Sequence, residues 1–103
     1  MAVRVVTIFQ PRDGKREEFL KESVQAKEIL TRLGARFRLS ETMLGGANTG
    51  QMVATTEFDT MAAYSAFTEA AAADRPWREF QAKADRDDSS RTLVSRSLVQ
   101  DVL

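Results

Sequence analysis

The chain contains no cysteine and no histidine. Without cysteine there is no disulfide framework and no thiolate nucleophile, which suits a reducing, cytoplasmic compartment. Without histidine a Ser-His-Asp arrangement and a His-based metal site are excluded, and the two absences together remove most transition-metal chemistry. Net charge is missing too, because 15 basic residues balance 15 acidic ones. There is accordingly no electrostatic footprint for nucleic acid or for an anionic membrane. No apolar run approaches the roughly 18 residues of a membrane span. The opening MAVRVVTIFQP has too short an apolar run for a signal peptide and reads better as a strand. The expectation is a soluble cytoplasmic protein that works without a metal or an organic cofactor.

What the chain does have is one unit around which the rest is arranged, GQMVATTEFDTMAAYSAFTEAAAADRPWREFQAKA over residues 50–84. Met52, Ala54, Thr56 and Phe58 alternate with Gln51, Val53, Thr55 and Glu57, the period of a strand with two unlike faces. Asp59 or Thr60 then caps a helix, in which Met61, Tyr64, Phe67 and Ala71 share one stripe. Asp74-Arg75-Pro76 ends that helix and starts another, since proline lacks an N–H but is welcome in a first turn. Trp77, Phe80 and Ala84 fall on one face of this second helix.

The remaining chain supplies partners for this unit. Residues 3–10 form a strand with Val3, Val5, Thr7 and Phe9 on one face and Arg4, Val6, Ile8 and Gln10 on the other, and both faces are expected to be covered. Pro11-Arg12-Asp13-Gly14 is a turn. Residues 15–33 form the longest helix, with Phe19, Ser23, Ala26, Leu30 and Leu33 as its stripe and Leu20, Val24 and Ile29 broadening it. Gly34 is its C-terminal stop. Residues 35–44 form a second strand, separated from the central unit by a Gly-rich hairpin loop. After a polar connector, residues 91–103 form a last strand whose paired apolars, Leu93-Val94, Leu98-Val99 and Val102-Leu103, break alternation and signal either a bulge or a separate C-terminal extension.

The order β-α-β-β-α(broken)-β in a single domain, residues 1–103, specifies an α+β fold. It is the ferredoxin-like βαββαβ arrangement: a four-stranded antiparallel sheet with helices on one face. Four such strands present a face of about 400–500 Å². The helices cover one face only, and the other carries Val6, Ile8, Val53 or Leu44 among polar groups. The apolar patch on such a face is near the limit for a lone monomer, so a homodimer paired face to face is expected.

The chain resembles the dimeric α/β-barrel superfamily, and within it the small antibiotic-biosynthesis-monooxygenase-like and NIPSNAP-like proteins. The likeness rests on Val5-Val6-Thr7-Ile8-Phe9 with Pro11 and Gly14-Lys15, on Phe19 and Leu20, on Glu57-Phe58-Asp59-Thr60, and on Pro76-Trp77 with Phe80. It implies two ferredoxin-like subunits enclosing a shared barrel. Cofactor-independent monooxygenases of this superfamily use tryptophan and asparagine on polycyclic substrates. Here Trp77 is the candidate for lining an aromatic pocket, against the more ordinary role of a helix anchor filling the core with Phe80. Asn48 is the only asparagine and lies in the hairpin loop, a poor place to pre-organise catalysis. Haem-binding relatives rely on an axial histidine, which this chain lacks.

Two motif readings fail on their spacing. Asp85, Asp87 and Asp88 are followed by Ser90 and Arg96 where a calcium loop needs glycine and glutamate. The glycines of residues 45–50 are followed by Gln51-Met52 where a phosphate loop needs Lys-Ser/Thr. The polar row facing away from the helices, with Arg38, Ser40 and Thr42 on one strand and Thr55 and Glu57 on the next, is the sharper candidate. A charge held inside a barrel must pair or bind a ligand. The sequence thus leads to a dimer that binds a small, partly apolar molecule in its barrel through Arg38, Thr42, Thr55, Glu57 and Trp77. In a monooxygenase- or isomerase-like reaction Glu57 would be the general base and Arg38 the anion-stabilising partner. Two alternatives stand beside it: a structural Arg–Glu pair at those positions, and a non-enzymatic dimer, a stress-related binding protein or interaction module, whose barrel is filled by its own side chains.

Overall fold

Alternation at Val3, Val5, Thr7 and Phe9 is realised as strand β1 (Val3–Pro11), the strand that both halves of the sheet are built on. A computed structural model describes all 103 residues. Helix α1 (Arg16–Arg32) follows, then β2 (Arg36–Glu41), a short 3-10 turn (Gly46–Asn48), β3 (Met52–Phe58), α2 (Met61–Ala73), α3 (Arg75–Ala84) and β4 (Arg91–Gln100). The four strands lie in the order β2-β3-β1-β4 and every neighbouring pair is antiparallel. This is the ferredoxin-like α+β arrangement. No helix is long and apolar enough to cross a membrane.

Local chemistry sets the element ends. Gly34 has φ +92°, a left-handed geometry that favours glycine. With it in place the Gly34 N–H donates to Thr31 O (3.0 Å) and the Ala35 N–H to Leu30 O (2.9 Å), which closes α1 in a Schellman motif. Of the two candidate caps for α2, Thr60 is the one used, its hydroxyl accepting from the Ala63 N–H at 3.0 Å. Asp74 sits between α2 and α3 with extended backbone, and its carboxylate accepts from the Trp77 N–H at 2.9 Å.

Between the helices and the sheet, Val3 of β1 and Phe58 of β3 form a core with Leu30 of α1 and Ala35 just before β2, and Tyr64, Phe67 and Trp77 pack against it. A second group, Ala26, Ile29 and Phe80, joins α1 to α3. Three residues expected in the apolar stripes or on the bare sheet face are not there. Val24 and Met61 are exposed because they fall on the outer sides of α1 and α2, and Leu44 lies beyond the end of β2, out in the loop.

The opposite face of the sheet has no covering element in the chain. Its rows are fixed by register: Arg36, Glu57, Arg4 and Val99; then Arg38, Thr55, Val6 and Ser97; then Ser40, Val53, Ile8 and Ser95. Strand β4 is exposed along almost its whole length, with Leu98 46% and Val99 40% accessible on opposite faces.

Candidate functional site

The apolar side chains between the sheet and the helices do not fill the space. A cavity of about 260 Å³ remains, and 14 of its 21 lining residues are hydrophobic. Its floor is the inner face of the sheet, Val5, Thr7 and Phe9 of β1, Phe37 and Leu39 of β2, and Ala54 and Thr56 of β3. Its roof comes from Phe19, Ala26 and Leu30 of α1, from Tyr64 and Phe67 of α2, and from Trp77, Phe80 and Ala84 of α3. The exposed lining residues Asp85, Leu93 and Arg96 mark the mouth, between the end of α3 and β4.

Trp77 is placed by the cap beneath it. Asp74 accepts its backbone N–H and also takes a bidentate pair from Arg32 of α1, at 2.9 and 3.0 Å. The Arg32 guanidinium, followed by the Trp77 N–H, holds the Asp74 carboxyl below the usual carboxylate range. The indole then stacks on Phe80, with centroids 5.4 Å apart and planes 10° from parallel.

Arg91 closes the cavity at the start of β4. It is only 6% exposed, and its guanidinium carbon lies 4.6 Å from the Phe19 ring centroid, 5.4 Å from Phe9 and 5.7 Å from Phe80. One nitrogen donates to Glu22 Oε1 at 3.0 Å, the same oxygen that accepts from the Ser90 hydroxyl. Nε has no hydrogen-bond partner, and the surrounding aromatic faces supply the electrostatic compensation instead. The charge of Arg91 is thus balanced within the fold.

Arg96 is different. Its Nε donates to Thr7 Oγ1 at 3.2 Å, and neither terminal nitrogen has a partner in the chain. A bulge puts it there. Phe9 pairs with Leu93 but Ile8 pairs with Ser95, so Val94 is the extra residue. Leu93 and Arg96, three apart, would face opposite ways in a regular strand. The bulge brings both to the cavity side.

The residues selected from the sequence do not converge on one site. Trp77 lines the cavity. Arg38, Thr55 and Glu57 belong to the outer face, and Thr42 lies just beyond β2, where its N–H and carbonyl bond Gln51 O and the Gly50 N–H at the neck of the loop. Arg38 stands opposite Thr55 and is not joined to Glu57. The partners of Glu57 are Arg4, through Nε at 2.9 Å, and Arg36, through Nη2 at 3.1 Å. Arg4 also holds Asp101, and that hydrogen bond keeps the Asp101 carboxyl below its usual range. Arg36 reaches Asp59 at 2.8 Å as well.

The sequence reading missed Arg91, Arg96 and Thr7 as cavity residues. The signal was present in the broken alternation at Leu93-Val94, which identifies a bulge but not the side chain it re-aims. The carboxylates of Asp85, Asp87 and Asp88 do not gather into a metal-holding group.

No protein-family model matches the chain, and no curated protein matches it. Solved structures do. An uncharacterised NIPSNAP domain protein from Burkholderia xenovorans superposes with a TM-score of 0.72 at 21% identity, covering 99% of this chain and 95% of that one. A NIPSNAP family protein from Agrobacterium tumefaciens gives 0.69 at 17% identity, over 96% and 90% of the two chains. A protein from Bordetella bronchiseptica named for the antibiotic-biosynthesis monooxygenases gives 0.64 at 13% identity, over 99% and 98%. At these identities the likeness is one of fold alone, the ferredoxin-like arrangement described above.

Proposed function

We propose that this chain forms a homodimer through the bare face of its sheet and binds a small, partly apolar molecule in the cavity between its sheet and its helices. The observation that carries the binding reading is the cavity itself, about 260 Å³ with an apolar majority and a few polar groups at one end. That combination is typical of small-molecule sites, and the volume lies just under the usual range for drug-sized ligands, about 300–1,000 Å³. Glu57, Arg38 and Thr55 then belong to the interface between copies, with Glu57 already paired to Arg4 and Arg36 of its own chain and Arg38 without an acidic partner there. The solved relative named for monooxygenases suggests oxygenation as one use of such a cavity. Asn48 is not among the lining residues here, so the reading adopted is a binding cavity.

Calorimetric titration with 1-naphthylmethanol, a neutral two-ring probe, tests it. Saturable binding at one molecule per chain is expected, and the cavity-filling substitution Ala54→Leu, at a buried lining position, should abolish it while the thermal melt stays cooperative. Absence of binding to the wild-type chain, or undiminished binding to the variant, would contradict the reading.

A further inference from the structure

We propose that the ligand of this cavity is a monocarboxylate, a small apolar body bearing a single planar carboxylate that Arg96 holds at the mouth. The inference rests on the binding reading above and narrows it to a chemical class.

Charge balance comes first. Of the two arginines lining the cavity, Arg91 is neutralised by Glu22 and packed among three phenylalanine rings. Arg96 has no acidic partner anywhere in the chain, and its single bond, from Nε to the Thr7 hydroxyl, anchors the guanidinium without satisfying its terminal nitrogens. Arg96 is therefore the one lining arginine left without an acidic partner, and with the Asp85 carboxylate at the same mouth it suits an anion of a single charge at most. A phosphate dianion would need a second free cation, and Asp85 at the same mouth adds negative charge against it.

Geometry comes next. A guanidinium fixed at one edge presents the remaining N–H groups as a planar fork, the arrangement that matches a carboxylate bidentately. Thr7 is buried and β-branched, so the anchor is stiff. Beyond the fork 14 of the 21 lining residues are hydrophobic, so the body of the ligand must be largely apolar. The bulge at Val94 supports the assignment on separate grounds. It interrupts the β1–β4 ladder to turn Arg96 toward the cavity rather than the bare face, and bulges recur where a strand re-aims a side chain at a site.

The test compares 1-naphthoate with 1-naphthylmethanol, the same ring system with and without the charge, by calorimetry on the full chain and on the Arg96→Met and Arg96→Gln variants. Arg96 is exposed, so both variants should fold. The wild-type chain should bind the carboxylate about tenfold to a hundredfold more tightly than the alcohol, the range for a charged hydrogen-bonded pair. In both variants that preference should vanish, the carboxylate and the alcohol then binding with equal affinity. If the alcohol binds but the carboxylate binds no better, or keeps its advantage in both variants, the monocarboxylate assignment is overturned and the cavity reading survives. If neither probe binds the wild-type chain, both fall.

Discussion

Asp74 does four things at once. Its N–H donates to Ala71 O at the end of α2, its carbonyl accepts the Arg78 N–H, and its carboxylate both caps α3 at the Trp77 N–H and pairs with Arg32 of α1. One aspartate thereby fixes three helices and the tryptophan that roofs the cavity. Because Arg32 and the Trp77 N–H favour the ionised form, the folded pKa lies below the unfolded one, which is about 3.9. The stability it contributes is therefore complete above that value and is lost as pH falls through the lower, folded one. Asp74→Asn keeps an acceptor for the cap but no charge to titrate. Thermal melts at pH 7 and pH 3 should show a larger drop for the wild-type chain than for this variant, and equal drops would contradict the assigned role. Arg91 is a different kind of residue, a buried cation already paired with Glu22 and packed among aromatic rings, whereas Arg96 has no acidic partner.

At the scale of elements, period and punctuation sufficed for the fold. The two-residue alternation of β1 and β3, the stripes of α1 and α3, the break at Pro76 and the irregular last strand all occur where the residue pattern places them. Gly34 illustrates why. A Cβ there would meet nothing within 4 Å, so replacing it raises no clash, yet its φ of +92° remains unfavourable for any L side chain. Gly34→Ala should therefore destabilise by about 1–2 kcal/mol through backbone strain alone. Urea unfolding should show a lower midpoint at unchanged slope, and an unshifted midpoint would mean that the helix end is held by something other than this turn. The site was far less legible. Alternation correctly put Arg38, Thr55 and Glu57 on the row away from the helices, but it does not say which side of a sheet retains empty volume. That depends on how Phe37, Leu39 and Ala54 meet Tyr64, Phe67 and Trp77 across the layers, a matter of side-chain volume and helix placement that no local pattern encodes. Nor does a pattern say that Arg36, rather than Arg38, reaches Glu57.

As a whole the molecule is a slab, 38 × 36 × 18 Å, thick enough for one layer of helix and one of sheet. Only 16 of 103 residues are buried, so a single copy leaves much of its apolar surface in water. The bare face, with Val6, Ile8, Val53 and Val99, offers about 400–500 Å². A stable interface takes about 800 Å² from each partner. The sheet face alone falls short of this, so the account requires the exposed strand β4 and the tail beyond it to be covered as well. That strand is an open edge with apolar groups on both faces, a feature that soluble chains seldom leave uncovered. Sedimentation equilibrium at micromolar concentration weighs this demand directly. A species of twice the 11.5 kDa chain mass is expected for the wild-type protein, reverting to the single chain when Ile8 is replaced by Glu at the centre of the bare face. A wild-type protein that sediments at 11.5 kDa across that range would contradict it.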